Sequence, residues 1–244
     1  MEILDVERAD HHGIVAGVIH DLGMIELINE RLGVDSDEKV SAGEATAAMI
    51  INGLGFTDQP LSLAPHFFAN CPLDLLFDNK ISADELNRFK LGRTLDRIFD
   101  YGCDMLFAEL SMSACKQEGV DIRFGHLDTT SFSFAGEYLP DSDEYAVSVT
   151  HGYSKANRPD LKQVVQEMMV SQDGNVPMLC KTWDGNTSDD EIFQKRSAQL
   201  VEAFKNSEGP RILVADSKLY NKTNLLNLSN LPFVTRIPDS IGLA

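Results

Sequence analysis

The period of the apolar residues changes once along this chain, near residue 120, and that change limits the fold more than any other feature. From residue 13 to residue 118 the spacing is helical. Ile14, Val15, Val18, Ile19, Leu22, Ile25, Leu27, Ile28 and Leu32 fall mostly at i, i+3 and i+4, the stripe of an amphipathic helix. Gly33 is a natural stop. Ser41 and Glu44 form a capping-box pattern ahead of a helix over 45–54. Ser82 and Glu85 repeat the pattern ahead of a helix over 88–101 that stops at Gly102. Another helix is expected over 104–117, ending before Gly119. Pro60, Pro65 and Pro72 cut the region between into short pieces.

From Asp121 onward the pattern turns strand-like. Residues 122–127 alternate, and residues 145–150 and 163–171 are rich in β-branched and large apolar side chains. Asp173-Gly174 signals a tight turn, so 163–181 reads as a hairpin. A helix is expected over 189–204, with Ser188 as its N-cap and Glu191 three residues on. A short buried strand over 212–215, a short helix over 222–228 and a last strand over 233–236 follow. Hairpins followed by strand–helix alternation indicate an α/β sheet of mixed direction. The expected division is an all-α N-terminal domain over 1–119 and an α/β domain over 120–244.

The chain has 244 residues, 43% of them hydrophobic, enough to bury a core. No apolar run is long enough for a transmembrane helix, and the polar, acidic start lacks the pattern of a secretory signal. Cys71, Cys103, Cys115 and Cys180 form no CxxC pair, which suits reduced thiols and a cytoplasmic location. The formal net charge is −17. Residues 1–120 hold 21 acidic against 9 basic side chains, and residues 121–244 hold 17 against 12. Such a chain is a poor nonspecific binder of polyanions, because phosphate contacts need Lys and Arg.

Two of the strand-like stretches run into an aspartate. Residues 122–127 lead to Asp128 in HLDTTSFSF, and residues 211–215 lead to Asp216 in RILVADSKLY. Carboxylates far apart in sequence converge if their strands lie side by side, and a converging pair holds hard divalent cations such as Mg²⁺. Read without further context, each has a plainer role. Asp128 fits a turn cap with Thr129 and Thr130, and Asp216 fits the cap of the next helix.

Four blocks in this half, HLDTTSFSFAGEY, HGYSKANRPDLKQ, GNTSD and ILVADSKLY, resemble in the same order the catalytic-domain blocks of bacterial insertion-sequence transposases. These are the DDE enzymes of the IS-four superfamily, with an RNase H-like fold. The helical part, from GIVAGVIHDLGMIELINERLG through LGRTLDRIFDYG, resembles the N-terminal domain of one branch of that group. The resemblance implies an RNase H-like mixed sheet with flanking helices, preceded by the all-α domain. It implies that Asp128 and Asp216 are catalytic and ligate two Mg²⁺ or Mn²⁺ ions. It implies DNA as partner (transposon ends and target), a homodimer in a synaptic complex, no membrane, and cleavage followed by strand transfer. The family's third acid is a glutamate on a later helix. TRIPDSIGLA runs straight to Ala244, and Asp239 stands too close to the last strand to replace it. The expectation is therefore a catalytic domain incomplete at its C-terminus and a chain deficient in catalysis.

Other residues carry weaker signals. Lys155, Arg158 and Lys162 form the densest basic group and are candidates for DNA phosphates; a solvated loop with Asp160 offsetting one charge explains them equally well. His126 and Asp128 form H-x-D, a spacing found in metal hydrolases, although a structural histidine accounts for it with less. Trp183 suits either base stacking or packing at a strand end. The rival functions are a noncatalytic protein that binds DNA or dimerises, and a small-molecule metal hydrolase using His126 and Asp128.

Overall fold

A computed structural model of the protein describes residues 7–54, 59–138, 147–155, 157–193, 195–196, 210–220, 222–228 and 232–238. The chain divides into two compact units, Met1–Leu110 and Ser111–Ala244. No helix among the described residues is long and apolar enough to cross a membrane.

The first unit is helical. Its main helices are α1 (His12–Asp21), α2 (Met24–Leu32), α3 (Ala42–Gly53), α4 (Ala64–Phe68), α5 (Leu73–Leu76) and α6 (Arg88–Tyr101), followed by α7 (Cys103–Gln117). The long apolar stripe at the start is carried by two helices, because Gly23 takes a left-handed φ of 61° and breaks it. The Ser41–Glu44 capping box is formed in full: Ser41 N–H donates to Glu44 Oε2 at 2.7 Å and Glu44 N–H to Ser41 Oγ at 3.2 Å. The second box, Ser82–Glu85, opens only a 3₁₀ turn over Ala83–Glu85. The N-cap of α6 is Asn87 instead, whose Oδ1 accepts from the N–H groups of Phe89 and Lys90. Arg97 on α6 donates to the carbonyls of Leu32 and Gly33, both at 2.6 Å, closing the C-terminus of α2. Ala45, Ala48 and Ile51 of α3 pack with Phe68, Phe77, Leu86 and Leu91 in the core.

The second unit is built on one sheet of five strands: β1 (Phe124–Phe134), β2 (Lys162–Ser171), β3 (Pro177–Asp184), β4 (Ile212–Ala215) and β5 (Phe233–Thr235). Their order is β3-β2-β1-β4-β5. β2 runs antiparallel to both β1 and β3, while β4 runs parallel to β1 and β5 parallel to β4. This is a mixed α/β sheet, as the strand–helix alternation indicated. The β2–β3 hairpin turns where Asp173-Gly174 signalled it, with positive φ at Gly174 and Asn175. Residues 189–193 are helical, and Ser188 caps them by accepting from Glu191 N–H at 3.2 Å. Residues 197–204 of the expected helix, residues 145–146 of an expected strand, and Asp239 lie outside the described residues. Within 147–150 no strand forms; Thr150 makes only an isolated bridge to Gln163.

One face of the sheet is dry. Leu127, Met169 and Leu213 pack there against Cys115, Phe193, Leu219 and Leu228. The glycines of two sequence blocks meet beside β2. A side chain at Gly152 would strike the carbonyl of Gly185, and one at Gly185 would strike the carbonyl of Gln163. Gln163 fastens the contact by donating from Nε2 to Gly185 O at 2.8 Å and Tyr153 O at 3.1 Å.

Candidate functional site

Strand register brings the two aspartates together. The parallel pairing of β1 with β4 ends at Leu127 opposite Ala215. Asp128 and Asp216 are the next residues on these neighbouring strands, whose spacing in a sheet is about 4.8 Å. Both are exposed, and both line one open cavity of about 570 Å³ together with His126, Thr130, Met168 and Val214. The cavity lies on the face of the sheet opposite the dry core. Alternation explains this: Leu127 and Thr129 point inward, while His126, Asp128 and Thr130 point to the cavity.

Asp128 is not at the end of its strand. β1 continues through it to Phe134, because β2 pairs with β1 along the whole stretch from Gly125 to Phe134. What ends near Asp128 is the pairing with the shorter β4. Past Ala215 the β4 chain turns away, and Asp216 caps that turn by accepting from Lys218 N–H at 3.0 Å. The capping role is therefore real. It occupies Oδ1 alone. Asp128 likewise accepts at Oδ1 from Thr129 N–H at 2.7 Å. Among the described residues, the Oδ2 atoms of both are left to the cavity. Two exposed carboxylate oxygens on adjacent strands fit a hard divalent cation. No group of three or more His, Cys, Asp or Glu side chains suited to a metal occurs among the described residues.

The other candidates already have partners within the chain. His126 shares the cavity, with Nε2 2.5 Å from Gln172 Oε1, so one of its nitrogens is already engaged. The three basic residues are all tied within the chain. Lys155 donates to Thr129 O at 2.7 Å and to Thr129 Oγ1 at 2.8 Å, and lies 3.4 Å from Asp189. Arg158 pairs with Asp160 at 2.7 Å; the hydrogen bonds raise the guanidinium's pKa and lower that of the carboxyl. Lys162 donates to the carbonyl of Tyr138. Trp183 donates to Glu167 at 2.8 Å, and Glu167, buried, also binds Arg196.

Sequence reasoning missed the cluster behind Asp128. Thr129 is buried on the dry side, donates to Asp189 at 2.6 Å and receives Lys155. This pins the backbone on which Asp128 sits. Asp189 belongs to the GNTSD block and Lys155 to the HGYSKANRPDLKQ block, so block membership was the available signal.

Residues 4–112 match a family described as a domain of unknown function (DUF4277). No curated protein matches the chain. Among solved structures, the chain is similar to the Mos1 transposase paired-end complex with left transposon end, at 11% identity and a TM-score of 0.29, covering 82% of this chain and 59% of that one. A pre-cleavage Mos1 transpososome aligns at 11% identity and a TM-score of 0.30, over 82% and 60%. The Mos1 mariner paired end complex with Mn gives the same figures. This chain thus spans about 60% of the length of those chains. At such TM-scores the likeness is too loose to bear on fold or function.

Proposed function

We propose that this protein is a transposase of a bacterial insertion sequence, of the DDE kind, acting on phosphodiester bonds of DNA with divalent metal ions. One observation carries the reading: the register that sets Asp128 beside Asp216 on one open cavity. The order of the four sequence blocks supports it. Asp128 and Asp216 would hold Mg²⁺ or Mn²⁺ through their Oδ2 atoms, while the Thr129 and Lys218 N–H groups fix the other oxygens. When bound, two such ions activate the attacking water or 3′ hydroxyl and stabilise the leaving oxygen of an in-line displacement. The chain's own part is positional. Thr129, Lys155 and Asp189 hold β1 rigid beneath Asp128, and the alternation of β1 keeps the pair on the wet face.

Two carboxylates are a thin ligand set for this work. Among the described residues no third acid joins them, and two carboxylates alone should bind the ions weakly and support only slow cleavage. Lys155, Arg158 and Lys162 are tied within the chain, and the net charge of −17 opposes the approach of a polyanion. DNA binding is accordingly expected to be weak, with a shallow salt dependence if few phosphates are neutralised.

The test is Mn²⁺ binding followed by electron paramagnetic resonance, with a nicking assay on DNA in Mg²⁺ or Mn²⁺. Asp128→Asn and Asp216→Asn should each weaken Mn²⁺ binding by about tenfold or more and abolish any nicking. Mn²⁺ affinity unchanged in both variants would remove the site and the proposal with it.

A further inference from the structure

The first unit holds a cavity that the proposed metal site does not use. Its volume is about 540 Å³, within the range of about 300–1,000 Å³ typical of small-molecule pockets. Its wall comes from the segment before α1, the start of α1, and α4 with the residues that follow it. Backbone contacts fasten this wall. Arg8 N–H donates to the carbonyl of Asn70 at 2.9 Å. The buried amide of Asn52 holds Gln59, donating to its carbonyl at 2.6 Å and accepting from its N–H at 3.2 Å.

His12 is the anomaly in the wall. It is only 7% exposed, yet among the described residues neither Nδ1 nor Nε2 has a hydrogen-bond partner. Its ring is held by Phe67, with centroids 5.1 Å apart, and by His11, at 4.7 Å. Burial first, and His11 second, keep its pKa below that of an ordinary imidazole, against the opposing charge of Asp10. The ring is therefore neutral near pH 7, with one donor and one acceptor to satisfy. Around it the wall offers a guanidinium from Arg8, a carboxylate from Asp10, and the carboxamides of Gln59 and Asn70. A net anion would face Asp10 and a net cation Arg8, so the complement is uncharged. It presents donors and acceptors along an edge and a flat face to the Phe67 ring. A metal ion lacks ligands here: no group of three suited to one occurs among the described residues. Burial also pushes the Cys71 thiol up, and its Sγ donates to the carbonyl of Phe67 at 3.4 Å.

We propose that this cavity binds an uncharged nucleobase or nucleoside, with His12 hydrogen-bonding its edge and Phe67 packing on its ring. A phosphorylated form fits less well, because residues 1–120 hold 21 acidic against 9 basic side chains. The site needs neither Asp128, Asp216 nor a divalent ion, so the inference survives if the proposed nuclease function fails.

Calorimetry and proton NMR of the His12 imidazole, on the full chain without metal, test it. Adenosine, guanosine, cytidine and thymidine are the probes, each titrated to its solubility limit. At least one should bind saturably and shift the His12 resonances. His12→Phe keeps the ring packing and removes both nitrogens. It should weaken binding by about tenfold while keeping or raising the unfolding midpoint, since two unpaired buried nitrogens are gone. Asn70→Ala, at an exposed position, should weaken binding by about threefold or more with the midpoint unchanged. The 5′-monophosphate of the bound nucleoside, and a single-stranded oligonucleotide, should each bind more weakly than the nucleoside itself. Saturable binding by none of the four probes overturns the proposal, as does binding that both variants leave unchanged. An oligonucleotide that binds more tightly than every nucleoside, and loses that affinity in His12→Phe, makes the occupant a DNA strand and also overturns it.

Discussion

The two faces of the β-sheet are made from the same strands and follow different rules. On one, Leu127, Met169 and Leu213 are almost wholly buried, and even the polar members, Thr129 and Glu167, are buried and hydrogen-bonded. On the other, Phe132 and Met168 remain exposed beside Asp128 and Asp216. The difference teaches that a strand residue's role is set by its parity. Asp128 and Thr129 are neighbours in the chain, yet one meets water and the other a packed ion cluster. A carboxylate on the dry side would need a partner to survive. On the wet side it keeps an oxygen free for a ligand.

Substitutions on the two faces should separate cleanly in urea unfolding. The largest loss is expected from Leu213→Ala, which opens a cavity at the centre of the dry face and should cost about 2–5 kcal/mol. Thr129→Val should cost about 1–3 kcal/mol, since it strips a hydrogen-bond partner from the buried side of Asp189 and Lys155. If Thr129→Val proved neutral, the claim that this cluster braces β1 would fall. Asp128→Asn should change stability by no more than about 0.5 kcal/mol while weakening Mn²⁺ binding. Phe132→Ser, on the wet face, should move stability least, again within about 0.5 kcal/mol. A large loss from Phe132→Ser would mean that this face is covered in solution, and the contrast between the faces would have to be redrawn.

Much of this arrangement was legible in the sequence. α6 has the expected bounds, because Gly102 ends it and its apolar spacing is unbroken. The hairpin was readable because Asp173-Gly174 admits a positive φ where the turn needs one. Other features were not. Thr129 and Thr130 fit a turn capped by Asp128, yet they are strand, since ten register pairs with β2 outweigh local preference. The Ser82–Glu85 box is a true cap for the wrong element, a 3₁₀ turn rather than α6. Periodicity gave no warning that Lys155 reaches Thr129, because that contact joins residues 26 apart through a loop. The adjacency of Asp128 and Asp216 followed from block order, not from spacing, which carries no information across 88 residues.

The meeting of Gly152 and Gly185 has a consequence for how such chains diverge. A side chain at Gly152 is blocked by the carbonyl of Gly185, and one at Gly185 by the carbonyls of Gln163 and Thr150, so neither position tolerates a substituent unless a neighbouring backbone moves away. The segment bearing Gly152 is therefore no freely exchangeable ornament of the scaffold. Among descendants of this sequence both positions should stay glycine, and a graft that transplants either segment alone should fail to seat unless it keeps its glycine.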